Sequence, residues 1–168
     1  MSGEASEAQV VRPLRPGDAG RVAQLLEQLG YPAGEREVRK RIGAWARDDR
    51  GVAFGVIVDD GLAGCAAVHV IPFFERPGAR ARLVALVVDA EYRRRGIASV
   101  LVEHCRNFAR QHGATEIEVT SRRTRTDADR FYTGAGFADV TDRSRRYISD
   151  LSVEIGAPSC RFSLPPRD

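Results

Sequence analysis

Apolar residues recur at two spacings along the chain, and each change of spacing marks an element. Val10-Val11-Arg12-Pro13-Leu14 is a short extended run, and Pro13, which cannot donate to a ladder, predicts an edge strand. Pro16-Gly17-Asp18 then opens a helix with Asp18 as the expected N-cap. Val22, Leu25, Leu26 and Leu29 follow at helical spacing, and Gly30 stops the run. The pattern predicts a second helix over 35–47, with Val38, Ile42 and Trp45 as its apolar stripe and its arginines facing water. Asp48-Asp49-Arg50-Gly51 is a turn. Val52–Val58 reads as a strand, Asp59-Asp60-Gly61 as a hairpin loop and Leu62–Ile71 as the return strand.

Pro72–Gly78 is a loop carrying Phe73 and Phe74. Arg80–Asp89 alternates weakly and then becomes the apolar run Ala85-Leu86-Val87-Val88, the pattern of a central strand. Gly96–Gln111 predicts a long amphipathic helix with Val100, Leu101, His104, Cys105 and Phe108 on its buried side and Gly113 beyond its end. Thr115–Ser121 is a further strand. A basic loop, Arg122-Arg123-Thr124-Arg125, leads to a short helix capped by Asp127 and closed by Gly134 and Gly136. Phe137–Val140 and Tyr147–Leu151 are expected to pair as a last hairpin. Residues 1–9 are expected to be a disordered tail and 152–168 an extension, leaving one domain over 10–151. The order βααβββαβαββ describes a mixed α/β (α+β) fold with a sheet between helices.

Composition narrows the function. The 168 residues are 43% hydrophobic and 29% charged, an ordinary globular balance. No run of 18 apolar residues is present, which argues against a membrane-spanning helix, and the polar, acidic start Met1–Glu7 is unlike a signal peptide. The expectation is a cytoplasmic protein. The net charge is +3, and Lys40 is the only lysine. Arginines occur in every segment with 23 acids among them, which argues against a nucleic-acid surface despite the clusters at Arg122, Arg123, Arg125 and at Arg143, Arg145, Arg146. Cys65, Cys105 and Cys160 are too few and too widely spaced for a disulfide framework or a zinc site, so they read as free thiols, and no metal is expected.

The chemistry lies where a strand ends in a turn and a helix begins. Leu86-Val87-Val88 closes the strand, and Arg93-Arg94-Arg95-Gly96-Ile97-Ala98 forms the turn. The first N–H groups of a helix lack intrahelical acceptors and carry partial positive charge, so a pyrophosphate satisfies them. Gly96 and Ala98 leave room for close approach, Ser99 adds a hydroxyl, and the three arginines add charge. A dinucleotide site would need Gly-x-Gly-x-x-Gly near the first strand, which is missing.

These residues resemble the GNAT superfamily of N-acetyltransferases. Its signature of Arg or Gln, two residues, Gly, one residue, then Gly or Ala is matched by Arg93, Gly96 and Ala98. The upstream Leu-x-Val-x-x-x-Tyr-Arg is matched by Leu86 to Arg93, and Ala-x-x-Phe-Tyr-x-x-x-Gly-Phe by Ala128 to Phe137. The resemblance extends from about Val10 to Leu151. It implies a mostly antiparallel sheet that splays after the fourth strand, flanked by helices on both faces. It also implies acetyl-CoA as cosubstrate. The backbones of Leu86, Val87 and Val88 would hold the pantetheine arm, and Arg93, Arg94, Arg95, Gly96, Ile97, Ala98 and Ser99 the diphosphate. Arg125 lies where many relatives place an asparagine near the cofactor.

The same resemblance makes Tyr132 the expected general acid toward the departing sulfur; a phenol, with an ordinary pKa of about 10, stays protonated at neutral pH. A glutamate that some relatives carry early in the fourth strand is replaced here by Arg82. Glu118, and after it Glu75, are the carboxylates left as candidate bases, with water as the alternative. His69 shares a strand face with Cys65 and reads as structural, and His104 with Cys105 does not make a nucleophile pair. Tyr31, Trp45, Phe73 and Phe74 are candidates for the acceptor wall. A small primary amine is the expected acceptor. A protein lysine or N-terminus, or a non-catalytic CoA-binding module, are the alternatives. A homodimer is a further expectation.

Overall fold

The alternating segments assemble into one sheet. In the computed structural model, which describes residues 9–121, 126–143 and 146–151, five strands lie side by side in chain order. They are β1 (Val10–Pro13), β2 (Gly51–Val58), β3 (Gly61–Pro72), β4 (Ala79–Val88) and β5 (Ala114–Val119). The first four are antiparallel neighbours, with Pro13 on the edge as its missing N–H requires. β5 runs parallel to β4, which demands a crossover, and a helix supplies it.

The helical periodicities become α1 (Ala19–Leu29), α2 (Glu35–Trp45), α3 (Ile97–Gln111) and α4 (Thr126–Gly134). Helices cover both faces of the mostly antiparallel sheet. On one face, Ile97, Leu101, Val102, Cys105 and Ala109 of α3 bury themselves against Val56, Val68, Val70, Ala81 and Leu83. On the other, Val22 and Leu25 of α1 and Val38 and Ile42 of α2 pack on Leu62, Cys65 and Val87. Each face therefore buries its own set of alternate strand residues, as a two-period pattern requires.

β4 departs from that period once. Ala67 pairs with Ala85 but the next residue, Val68, pairs with Leu83, so Val84 is the extra residue of a bulge. Before it, Ala79, Ala81 and Leu83 face α3; after it, Leu86 and Val88 pack there and Val87 turns to α1 and α2. β5 pairs with β4 only from Ala79 to Leu83. β5 ends at Val119, opposite Leu83, and beyond that point one edge of β4 has no strand partner among the described residues.

Several expectations are corrected. The hairpin of Phe137–Val140 with Tyr147–Leu151 does not form; both stretches are irregular, and Tyr147 and Leu151 are exposed. Asp18 stands at the N-cap position of α1, but its side chain does not cap the helix. Its carboxylate accepts from Arg12 Nη1 and Nη2 at 2.8 and 2.9 Å and from the Arg15 N–H at 2.7 Å, closing a 3-10 turn over Pro16–Asp18 instead. The second helix ends at Trp45 rather than 47, and the strand after α3 ends at Val119. The expected tail lies outside the described residues except for Gln9, whose Nε2 donates to the Arg95 carbonyl at 3.2 Å. The extension over 152–168 lies wholly outside them.

Candidate functional site

Beside β4, beyond the end of β5, a cleft of about 760 Å³ opens. Its floor is the free side of β4 after the bulge, with Val84, Ala85, Leu86 and Val88. Arg93, Arg94 and Ala98 form one end, Thr120 and Ser121 beyond β5 one wall, and Ala128, Phe131 and Tyr132 of α4 another. Leu29 and Tyr31, at the end of α1, close the far side. The open stretch Ala85–Val88 is about 13 Å long at ~3.3 Å per residue.

The end at α3 presents backbone donors that no side chain caps. Gly96 precedes the helix with φ of +76°, a conformation that L side chains adopt only at a cost, and no side chain caps the helix. The first intrahelical bond after the turn runs from the Val100 N–H to the Gly96 carbonyl at 3.1 Å, leaving the N–H groups of Ile97, Ala98 and Ser99 without intrahelical acceptors. A Cβ at Gly96 would meet nothing within 4 Å, so the backbone angle, and not crowding within the chain, demands glycine there. Arg94 also has a positive φ, +63°, although it is not glycine. Such an angle costs on the order of 1 kcal/mol and is held by its surroundings.

The three arginines separate in role. Arg93 and Arg94 line the cleft, whereas the Arg95 guanidinium lies 5.2 Å from the centre of the Tyr92 ring. Ile97 is buried in the core, so only its backbone faces the turn. Val87 is buried toward α1 and α2, so it too offers the cleft only its backbone, while Leu86 and Val88 line it directly. Ser99 and Gly96 are exposed at the helix start. Arg125 lies outside the described residues.

Tyr132 is half-buried beside the open strand, held edge-on between Phe131 at 5.3 Å and Phe137 at 5.4 Å between ring centroids. Glu118 is placed differently. It stands across from Arg82, whose Nη1 donates to its carboxylate at 2.8 Å and whose Nη2 donates to Thr120 Oγ1 at 3.0 Å. Beside it, Arg80 Nε donates to Glu116, and that bond holds the Glu116 carboxyl below its ordinary range. Glu118 thus belongs to a cross-strand ladder of arginines and glutamates on the sheet surface. Glu75 lies 3.8 Å from Arg76 in the β3–β4 loop.

Of the four aromatics considered for the acceptor wall, Tyr31 lines the cleft. Trp45 packs edge-on against His69, Phe73 lies under the Arg76 guanidinium, and Phe74 is fully exposed. His69 bonds to Asp48 at 2.9 Å. His104 Nδ1 donates to the Val100 carbonyl at 2.9 Å. Burial pushes the Cys65 and Cys105 thiols up to about 12, which leaves them inert as nucleophiles. Among the described residues, no group of three or more His, Cys, Asp or Glu is placed to hold a metal, and no helix is long and apolar enough to cross a membrane.

One element has no signal in the sequence. Asp89, directly after β4, is 4% exposed and is held by Arg21 and Gln28 of α1. Those partners lie 68 and 61 residues away, beyond the reach of any local pattern. The N–H of Glu91, then Gln28 and Arg21, hold its carboxyl below the ordinary aspartate range against the opposing effect of burial.

Comparison with known proteins agrees with this geometry. The model of the acetyltransferase (GNAT) family matches residues 21–137. No curated protein matches the sequence. Among solved structures, a transcriptional regulator from Bacillus halodurans C-125 superposes with a TM-score of 0.74 at 19% identity, covering 84% of this chain and 100% of that one. Glucosamine-6-phosphate N-acetyltransferase from Arabidopsis thaliana gives 0.70 at 18% identity, covering 85% and 100%. Ribosomal-protein-alanine N-acetyltransferase from Brucella melitensis biovar Abortus 2308 gives 0.67 at 22% identity, covering 85% and 99%. At these identities the likeness is one of fold.

Proposed function

The chain belongs to the acetyltransferase (GNAT) family, and on that premise we propose that it transfers the acetyl group of acetyl-CoA to a primary amine of a small molecule. The observation that carries the reading is the conjunction of a β4 edge without a strand partner among the described residues and an uncapped α3 N-terminus at one end of the same cleft. The open backbone of Ala85–Val88 is suited to hydrogen-bond an extended amide-bearing arm as a strand would. The N–H groups of Ile97–Ser99, with Arg93 and Arg94, are suited to a diphosphate. The cleft volume lies within the range of small-molecule sites.

Acetyl-CoA supplies a thioester already activated for transfer. In the proposed step the amine nitrogen bonds to the acetyl carbon, the carbon–sulfur bond breaks, and the sulfur leaves with its electron pair. A backbone N–H near Val87 polarises the carbonyl. Tyr132 donates its phenolic proton to the departing thiolate. The amine proton passes to water at the mouth of the cleft, since Glu118 is paired with Arg82, and water returns a proton to the Tyr132 phenolate. Tyr31 and Leu29 bound the acceptor side.

The test is incubation with acetyl-CoA and a panel of small amines, reading thiol release, beside calorimetry with CoA. Binding with release for small amines supports the reading. Release only with lysine-bearing or N-terminal peptides moves the acceptor to protein, and no CoA binding refutes the site.

A further inference from the structure

The turn that faces the cleft is anchored from outside it. Asp89 is the buried charged residue among those described, and burying a carboxylate is costly unless its oxygens are matched by donors. Here they are. Arg21 Nη2 donates to Oδ2 at 2.7 Å, Gln28 Nε2 donates to the same oxygen at 2.9 Å, and the Glu91 N–H donates to Oδ1 at 2.9 Å. The Asp89 N–H donates to the Ala63 carbonyl, and the Asp89 carbonyl accepts from the Tyr92 N–H, each at 2.9 Å.

The two α1 residues make second contacts that tie the node to β3 and to the start of the turn. Arg21 Nε donates to the Leu62 carbonyl of β3 at 3.1 Å. Gln28 Oε1 accepts the Ala90 N–H at 3.1 Å, so its one amide grips both the Asp89 side chain and the backbone of the next residue. Arg21 and Gln28 are two helical turns apart and share a face of α1. The same helix ends in Leu29, which lines the cleft, and Arg93 begins four residues after Asp89.

We propose that Asp89, clamped by Arg21 and Gln28, is a positioning residue that fixes where the Arg93–Ala98 turn leaves β4 and so sets affinity for the diphosphate end of the donor. This makes α1 part of the donor site without touching the donor. The proposal rests on the acyl-CoA reading. An asparagine at 89 would replace one acceptor oxygen by a donor, leaving either the Glu91 N–H or the α1 pair unmatched. The take-off angle of the turn is then no longer set.

Calorimetry of the full chain with CoA, and an NMR titration with pantetheine, which lacks the diphosphate, test this. Asp89→Asn and Gln28→Leu should raise the Kd for CoA about tenfold, the loss expected of one charged hydrogen bond, with Arg21→Lys closer to wild type than Arg21→Met. Their Kd for pantetheine should stay at the wild-type value, which a general loosening of the fold would not allow. If Asp89→Asn does not fold, Gln28→Leu and Arg21→Met carry the test. Equal weakening toward both probes, or no change toward CoA, overturns the proposal while leaving the acyl-CoA reading intact. A wild-type chain that binds neither probe overturns the reading and the proposal with it.

Discussion

The two halves of β4 share one strand and differ in what lies beside them. Ala79–Leu83 is paired on both edges, to β3 and to β5, and its outward arginines are answered across the strand by Glu116 and Glu118. Ala85–Val88 is paired on one edge only, and it lines the cleft. Val84 divides them. The first half satisfies its backbone and its charges within the chain. Among the described residues the second leaves both its backbone edge and the adjoining helix terminus without partners in the chain, so both are available to a ligand. Composition separates an alternating half from an apolar one, and the pairing beside them differs too.

The comparison breaks hardest at the helix terminus. Ala98→Asp places a carboxylate where the diphosphate is proposed to sit, and like-charge repulsion should weaken CoA binding on the order of 10³-fold. An acid in the first turn of a helix is favourable in itself, so the melting temperature should hold or rise slightly. Opposite movements of binding and stability, read by calorimetry and by thermal melts, separate a site effect from a folding effect. Next, Tyr132→Phe keeps the ring packing between Phe131 and Phe137 but removes the proton donor. Turnover should fall about 10²-fold with CoA affinity unchanged, as expected of general acid catalysis; equal turnover would remove Tyr132 from the step.

A smaller effect tests the bulge. Val87 is 6% exposed and Val84 is 53% exposed, although both are valines in one strand. Val87→Ala should cost about 2 kcal/mol in chemical denaturation, and Val84→Ala within about 0.5 kcal/mol. The reverse order would mean that the strand has no register shift there.

The smallest effect lies outside β4. Asp18, bonded by Arg12, has its carboxyl held below the ordinary range. A depressed folded-state pKa stabilises above the unfolded pKa, and that contribution is lost as pH falls through the folded one. Asp18→Asn should cost about 1 kcal/mol at pH 7. The gap to wild type should close as pH falls below about 4, the ordinary aspartate value.

The elements that frame the proposed donor site were legible in the sequence because they are local. The apolar run to Val88, the glycine turn and the amphipathic α3 are contiguous, and each announces itself by period or by a special backbone. The bulge was hidden because Leu83 to Val88 are all apolar, so a break in alternation had no polar residue to expose it. The Arg82–Glu118 pairing was hidden because a cross-strand partner 36 residues away has no local pattern, and Glu118 therefore read as an available carboxylate. Asp18 read as a helix cap because a competing guanidinium six residues upstream is invisible to a capping rule. The expected last hairpin shows the converse: strand-like composition in Phe137–Val140 and Tyr147–Leu151 does not by itself produce pairing.

Amide hydrogen exchange with and without CoA compares the two halves of β4 directly. The account predicts added protection at Ala85–Val88 and at Ile97–Ser99, with Ala79–Leu83 unchanged because its edges are already paired. Added protection at Ala79–Leu83 instead, or no change at either stretch under saturating CoA, would contradict it.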